Sequence, residues 1–335
     1  MANKIRVLVV DDSALVRQSL KAILNEDLDV EVVGEARNGK EGFEKALTLK
    51  PDVITMDLTM PVMDGLESTA KIMEDCPTPI IIVSSMDVKV IVKALALGAM
   101  DFVAVTQEIG EISEDLVEKV KIASRVRPIR RMKFNHVSKK IPVAKGAAAK
   151  VVAVGVSTGG PQALQILLSS LPAGLPASIL VVQHISPGFI QGLADWLNLT
   201  SSLHVEVAKT GDVLRSGVVL LAPDNFHMTV DDQERIVLKE DVSEKKLHVP
   251  SIDVLFESVA DAYQKNAVGV ILTGMGRDGV KGISIIKGAS GHTIAQDEKT
   301  SAIFGMNKIA IDEGVIDAVL PLEKIADEIV RLVNG

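Results

Sequence analysis

Two doubly wound α/β domains joined by a basic tether are the architecture this chain predicts, and three observations predict it. Short apolar runs rich in Val and Ile alternate with helix-period segments along both halves of the 335 residues. Gly, Pro and charged stretches punctuate them, which is the grammar of strands connected by helical crossovers into parallel sheets. The charge is also uneven: residues 1–122 carry a net of −9, residues 123–150 a net of +9 with no acidic side chain, and residues 151–335 a net of −8. That middle stretch, ASRVRPIRRMKFNHVSKKIPVAKGAAAK, holds two prolines and an alanine run and has no sustained apolar period. It reads as a linker between a domain over 1–122 and another over 151–335, each long enough for its own core.

Composition excludes several classes. No run approaches the roughly 18 apolar residues that span a bilayer, so membrane insertion is not expected. The opening MANKIRVLVVDDS runs into two aspartates without a small-residue cleavage site. The single cysteine, Cys76, has no internal partner and points to a reducing compartment, hence a cytoplasmic protein. Neither domain is basic, so the linker's charge suits a tether between two acidic bodies better than nucleic-acid binding.

In the first domain IRVLVV, VEVVGEA, VITMD, IIIVSS and DFVAV read as strands. SALVRQSLKAILNE, GKEGFEKALTL and DVKVIVKALALG read as helices between them. The product is a five-stranded parallel sheet, whose working groups belong beyond the carboxyl ends of its strands. Asp11 and Asp12 follow the first strand, Asp57 ends the third and Ser84 the fourth. Asp11 and Asp12 near Ser13 could simply cap a helix. Three carboxylates and a hydroxyl at successive strand ends favour instead a site for a hard divalent cation such as Mg²⁺.

VVDDS, ITMDLTMPVMDG and GAMDFV together resemble a response-regulator receiver domain over nearly all of residues 4–122. The resemblance implies that Asp57 accepts a phosphoryl group from a histidine kinase. It implies that Asp11, Asp12 and the Asp57 region hold Mg²⁺, that Ser84 bonds the phosphoryl oxygen, and that Phe102 is the aromatic switch. One departure stands out: the family's lysine and proline after the fifth strand are here Val105 and Thr106. A valine supplies no ammonium to pair with a phosphoryl group, which bears on the extent or readout of phosphorylation.

The second domain repeats the pattern. VVAVGVS, SILVVQH, SGVVLLAP, AVGVILTG, HTIAQD and VIDAVLP read as strands. PQALQILLSSL, PGFIQGLADWLNL, PSIDVLFESVADAYQ and PLEKIADEIVRLVN read as helices, and HMTVDDQERIVLK as a hairpin inserted into a mostly parallel sheet. The first strand ends in VGVSTGGP, a nucleophile-elbow pattern centred on Ser157. That turn alone serves equally as an anion cradle. The next strand ends separate the two readings. His184 closes SILVVQH and Asp278 follows AVGVILTG, and Ser, His and Asp at three parallel strand ends can meet above one sheet. His136, His204, His248 and His292 carry no special claim, and His227 either borders the site or makes a loop contact.

VGVSTGGP, VVQH, APDNFHM, PSIDVLF, ILTGMGRDG and AQDE, in that order, resemble the catalytic domain of the CheB protein-glutamate methylesterases. The resemblance implies Ser157 as nucleophile, His184 as general base and Asp278 as orienter of the imidazole. It places the Met275 backbone in the oxyanion hole, lined by Thr158. The implied substrates are glutamyl methyl esters, and some glutamines, of methyl-accepting chemotaxis receptors. The implied phosphodonor is the chemotaxis histidine kinase, and the unphosphorylated receiver is expected to occlude the catalytic strand ends. Asn307 replaces a usual proline without evident functional weight. Two rivals are a non-catalytic binding module and a nucleotide-binding regulator that uses the turn over residues 155–160.

Overall fold

The computed structural model describes residues 4–85, 88–104, 113–126, 149–241 and 248–335. Val105, Thr106, His136 and most of the 123–150 stretch lie outside the described residues. The chain divides into two units, 1–134 and 135–335.

In the first unit β1 (Ile5–Val10), α1 (Ala14–Glu26), β2 (Val30–Ala36), α2 (Gly39–Leu49), β3 (Val53–Met56), α3 (Gly65–Asp75), β4 (Ile80–Ser84), α4 (Val88–Ala96), β5 (Asp101–Ala104) and α5 (Ser113–Ala123) follow in strict alternation. The strands pair in parallel in the order β2-β1-β3-β4-β5. Four consecutive residues of β3 are buried, as expected of a strand covered on both faces. Ser13, Asn38 and Asp64 each cap the helix that follows, accepting an amide three residues on. Ser13 thus takes the capping role, while Asp11 and Asp57 stand at the ends of β1 and β3, where the strand order reverses.

The second unit runs β6 (Lys150–Val156), α6 (Gly160–Ser170), β7 (Ala177–Gln183), α7 (Ile190–Thr200), β8 (His204–Val207), β9 (Val218–Leu221), β10 (His227–Val230), β11 (Ile236–Lys239), α8 (Ile252–Tyr263), β12 (Ala267–Ile271), α9 (Val280–Gly288), β13 (His292–Gln296), α10 (Met306–Asp312), β14 (Ala318–Leu320) and α11 (Leu322–Asn334). Seven strands form one sheet, β14-β13-β12-β6-β7-β9-β8, parallel at every pairing. Alternate residues of β6 face opposite layers. Val152, Val154 and Val156 pack with α6, α7 and α11, and Val151 and Ala153 pack with α8 and α9. The predicted hairpin forms, but as a separate antiparallel pair, β10 with β11, rather than within the large sheet. It is tied to α8 by the Val230 amide, which donates to Ser258 Oγ.

In the first unit α3 and α5, and in the second β8, α9 and α10, have no counterpart among the predicted elements. β8 is a four-residue edge strand with only alternate burial. α10 spans seven residues, too few to show a helical period. α9, VKGISIIKG, mixes glycines with β-branched residues, a poor intrinsic helix. Asp253 in α8 supplies its missing N-terminal cap by accepting the Gly279 and Gly282 amides at 2.9 and 2.7 Å.

Candidate active site

Ser157, His184 and Asp278 follow β6, β7 and β12, which are adjacent in the order β12-β6-β7 at the centre of the seven-stranded sheet. Here the chain turns from building one half of the sheet to building the other, leaving a crevice above the strand ends.

Three contacts define the Ser157 backbone. Its amide donates to the Thr273 carbonyl at 3.0 Å, and its carbonyl accepts the Gly160 amide at 2.8 Å. Gln183 Nε2 donates both to that carbonyl, at 3.0 Å, and to the His184 carbonyl, at 2.7 Å. Thr273 Oγ1 donates to the Thr158 carbonyl at 3.0 Å. Gly159 has φ +77°, a conformation that disfavours any side chain. Gly274 lies so close that a Cβ there would sit 2.7 Å from Ser157 Cβ. Met275, next in that loop, is 51% exposed. Among the described residues no hydrogen bond joins the Ser157 hydroxyl to His184, a distance that typically tightens only with substrate bound.

The His184 amide donates to the Val156 carbonyl at 3.0 Å, and its Nε2 meets Asp278 Oδ2 at 2.9 Å. A carboxylate accepts, so Nε2 carries the proton and Nδ1 is left as the basic nitrogen. Asp278 also accepts from Ser251 Oγ at 2.8 Å and from the Ile252 and Asp253 amides at 2.8 and 3.0 Å. It sits on the N-terminus of α8, where free amides and the helix dipole favour an anion. Burial alone would raise its carboxyl, but the bonds from His184 and those two amides hold it below the usual carboxylate range. Asp253, beside it, is pushed the other way by burial, with Asp278 adding to the rise against the pull of the glycine amides.

Sequence reasoning left several participants without a role. Gln183, Thr273, Ser251 and Asp253 lie within the segments that carried the resemblance, yet their bonds join chain positions up to 115 residues apart. Only Ser251, a serine opening the helical run IDVLF, carried a local signal, that of an N-cap. His227 is buried, and its Nδ1 accepts the Ser251 amide at 3.1 Å, so it borders the site through the Asp278 support. His248, singled out by nothing in the sequence, stacks its ring on that of His184 with centroids 4.6 Å apart. Asn307 is buried and donates to the Gln296 carbonyl and Ser301 Oγ, a packing role.

In the first unit Ser84 Oγ donates to Asp57 Oδ1 at 2.9 Å and the Thr59 amide to Oδ2 at 3.0 Å. Burial pushes Asp57 up, against these bonds, and Asp12 adds to the rise. Burial pushes Asp11 up to about 6, opposed by the Ser13 amide and reinforced by Asp57 and Asp12. Phe102 is buried, with Lys119 Nζ 5.3 Å above its ring. Among the described residues no three His, Cys, Asp or Glu side chains gather closely enough to cage a metal ion. Asp11 nonetheless feels the charges of both Asp57 and Asp12, the carboxylates expected to face the ion. Like charges repel, and Mg²⁺ characteristically takes one or two carboxylates plus water instead of a full protein cage. The donor set still fits such an ion, because its oxygens are crowded enough to raise one another's proton affinity.

Comparison with known proteins followed the same division. A family model described as CheB methylesterase matches residues 152–329, and one described as response regulator receiver domain matches residues 7–116. A protein of Symbiobacterium thermophilum named protein-glutamate methylesterase/protein-glutamine glutaminase is 42% identical, over 98% of this chain and 97% of its own. The Thermotoga maritima protein of that name is 41% identical over 98% of each chain. The crystal structure of the Thermotoga maritima CheB methylesterase catalytic domain matches with a TM-score of 0.53 and 40% identity, covering 55% of this chain and 98% of that one.

Proposed function

The chain belongs to the CheB methylesterase family with a receiver domain ahead of the esterase, and we propose that it demethylates chemoreceptor glutamates by serine acyl transfer under phosphorylation control. Carboxylic ester hydrolysis is the family's chemistry. The site residues extend that to a mechanism. His184 Nδ1 takes the Ser157 hydroxyl proton as Oγ attacks the γ-carbonyl of a glutamyl methyl ester. Asp278, kept ionised by α8, stabilises the imidazolium that forms. The oxyanion is received by backbone amides of the elbow and of the Met275 loop, with Thr158 lining the same side. The tetrahedral intermediate expels methoxide, which takes the His184 proton and leaves as methanol. Water then attacks the acyl-enzyme with His184 again as base, releasing glutamate and restoring Ser157. Glutamine deamidation follows the same route with ammonia leaving.

The observation that carries this reading is the His184–Asp278 bond at 2.9 Å, beside a serine whose carbonyl shares one buried amide with the histidine's own. In the receiver, Asp57 is the phosphoryl acceptor from a chemotaxis histidine kinase, Ser84 binds a phosphoryl oxygen, and Phe102 responds. Asp11 and Asp12, with Asp57, would hold Mg²⁺, which when bound neutralises charge on the transferred phosphoryl group. Residues 123–150 act as the tether between a receiver over 1–122 and an esterase over 151–335. No helix among the described residues is long and apolar enough to cross a membrane.

Methanol release from methylated receptor membranes tests the proposal, with and without Mg²⁺ and a small phosphodonor. Release is expected to vanish in Ser157→Ala and to rise with phosphodonor except in Asp57→Asn. No release from the wild type, with or without its receiver, would leave a binding module as the better account.

A further inference from the structure

We propose that His248 is a positioning residue that fixes the rotation of the His184 ring, an inference that rests on His184 being the general base. The His184 backbone is held on both sides, its amide by Val156 and its carbonyl by Gln183. Among the described residues its ring has one hydrogen bond, from Nε2 to Asp278. Of the two ring nitrogens, Nδ1 stands further than Nε2 from the axis of the Cβ–Cγ bond, about which the ring turns, and that torsion is broad and roughly two-fold. A given turn therefore displaces the basic nitrogen more than the nitrogen bonded to Asp278, and a second contact on the ring narrows the range that one hydrogen bond leaves.

A contact on the ring face does resist that turn. His248 stacks on His184 at 4.6 Å between centroids with 27° between planes, within the range of favourable ring pairs. Rotating His184 would tilt its edge into the His248 ring on one side and open a gap on the other. The position of His248 is set by the same short segment that holds Asp278. Three residues later Ser251 bonds the Asp278 carboxylate through Oγ and His227 Nδ1 through its amide. Ile252 and Asp253 follow with their amides on Asp278. Residues 248–253 therefore grip the imidazole twice, once at Nε2 through the aspartate and once on its face.

Replacing the ring should slow catalysis by about two- to twelve-fold, the worth of one ring pair expressed as a rate. We would measure kcat and KM for methanol release from methylated receptor membranes with the full chain. The variants are His248→Ala, His248→Phe and His248→Leu, with Ser157→Ala as control. His248→Ala and His248→Leu are expected to lower kcat with KM within two-fold of wild type. His248→Phe, which keeps a flat face without titrating nitrogens, is expected to stay within two-fold of wild-type kcat. A nitrogen-15 spectrum of the histidine rings should keep the His184 Nε2–H signal in all three, showing the bond to Asp278 intact. Wild-type kcat in both His248→Ala and His248→Leu would overturn the inference, as would a His248→Phe variant no faster than His248→Leu. Wild-type release that persists in Ser157→Ala would instead sink the serine mechanism beneath it.

Discussion

Replacing Asp278 with asparagine removes one negative charge and turns one of its two acceptor oxygens into a donor. In the structure Oδ1 accepts from Ser251 Oγ and the Asp253 amide, and Oδ2 from the Ile252 amide and His184 Nε2. If the asparagine oxygen faces His184, the imidazole keeps its proton on Nε2. The new amide nitrogen then meets the Ser251 hydroxyl, which can reverse and accept, and the Asp253 amide, which cannot. If the nitrogen faces His184, it opposes the Ile252 amide and drives the imidazole proton to Nδ1, leaving no base toward Ser157. Each orientation opposes one backbone amide, Asp253 in the first and Ile252 in the second, but the first otherwise asks only for a hydroxyl to rotate while the second also moves the imidazole proton, so we expect the first to prevail. The catalytic loss is then that of a charge-assisted bond to the imidazolium, about 1.5–3 kcal/mol or roughly 10- to 150-fold in kcat. The orphaned Asp253 amide should cost about 1–3 kcal/mol of stability. Steady-state methanol release and urea unfolding read the two effects separately. A loss under three-fold would refute Asp278 as the orienter of the base. A loss near the ~10⁴-fold associated with a wrong imidazole tautomer would refute the hydrogen-bond reasoning while keeping the role.

Gly274→Ala would force a Cβ to within 2.7 Å of Ser157 Cβ, so methanol release should fall at least ~10²-fold while circular dichroism stays native. Asp11, pushed up to about 6 against an unfolded value near 3.8, holds in the folded receiver a proton that the unfolded chain has released. Its contribution to stability is full below pH about 4 and is lost as pH rises through about 6. Asp11→Asn should therefore stabilise the receiver at pH 7, by an amount on the order of 2 kcal/mol, and change little at pH 4, as pH-dependent urea midpoints would show. Mg²⁺ should raise the receiver's melting temperature in the wild type and much less in Asp11→Asn. Val105→Lys should increase stimulation of methanol release by a phosphodonor, and an unchanged response would show that this position does not limit the switch.

Much of the fold was legible because long, two-sided Val/Ile runs such as IRVLVV and SILVVQH are read by burial alone. The strand ends bearing Ser157, His184 and Asp278 followed from that. What escaped depends on tertiary partners. Helix α9 is poor by composition and stands because Asp253, on another helix, caps it. The hairpin's residues are apolar enough for the main sheet, yet they pack on α8 as a separate pair. Gln183 is one polar residue at the end of an apolar run, and nothing local tells that its amide spans two carbonyls. His248 looked like any loop histidine, since a ring stack between residues 64 positions apart leaves no mark on spacing.

The shared amide of Gln183 has a kinetic consequence. Because one buried amide grips the peptide carbonyls of both Ser157 and His184, the two backbones cannot drift apart without breaking a buried hydrogen bond. The backbones of the proposed nucleophile and base are thus tied together when the domain folds, whether or not a substrate arrives. Throttling the reaction by dismantling this pair would be costly, whereas throttling it by admission is cheap. On the proposed function, the natural place for discrimination is the exposed rim around Met275, where an incoming glutamyl ester would be selected.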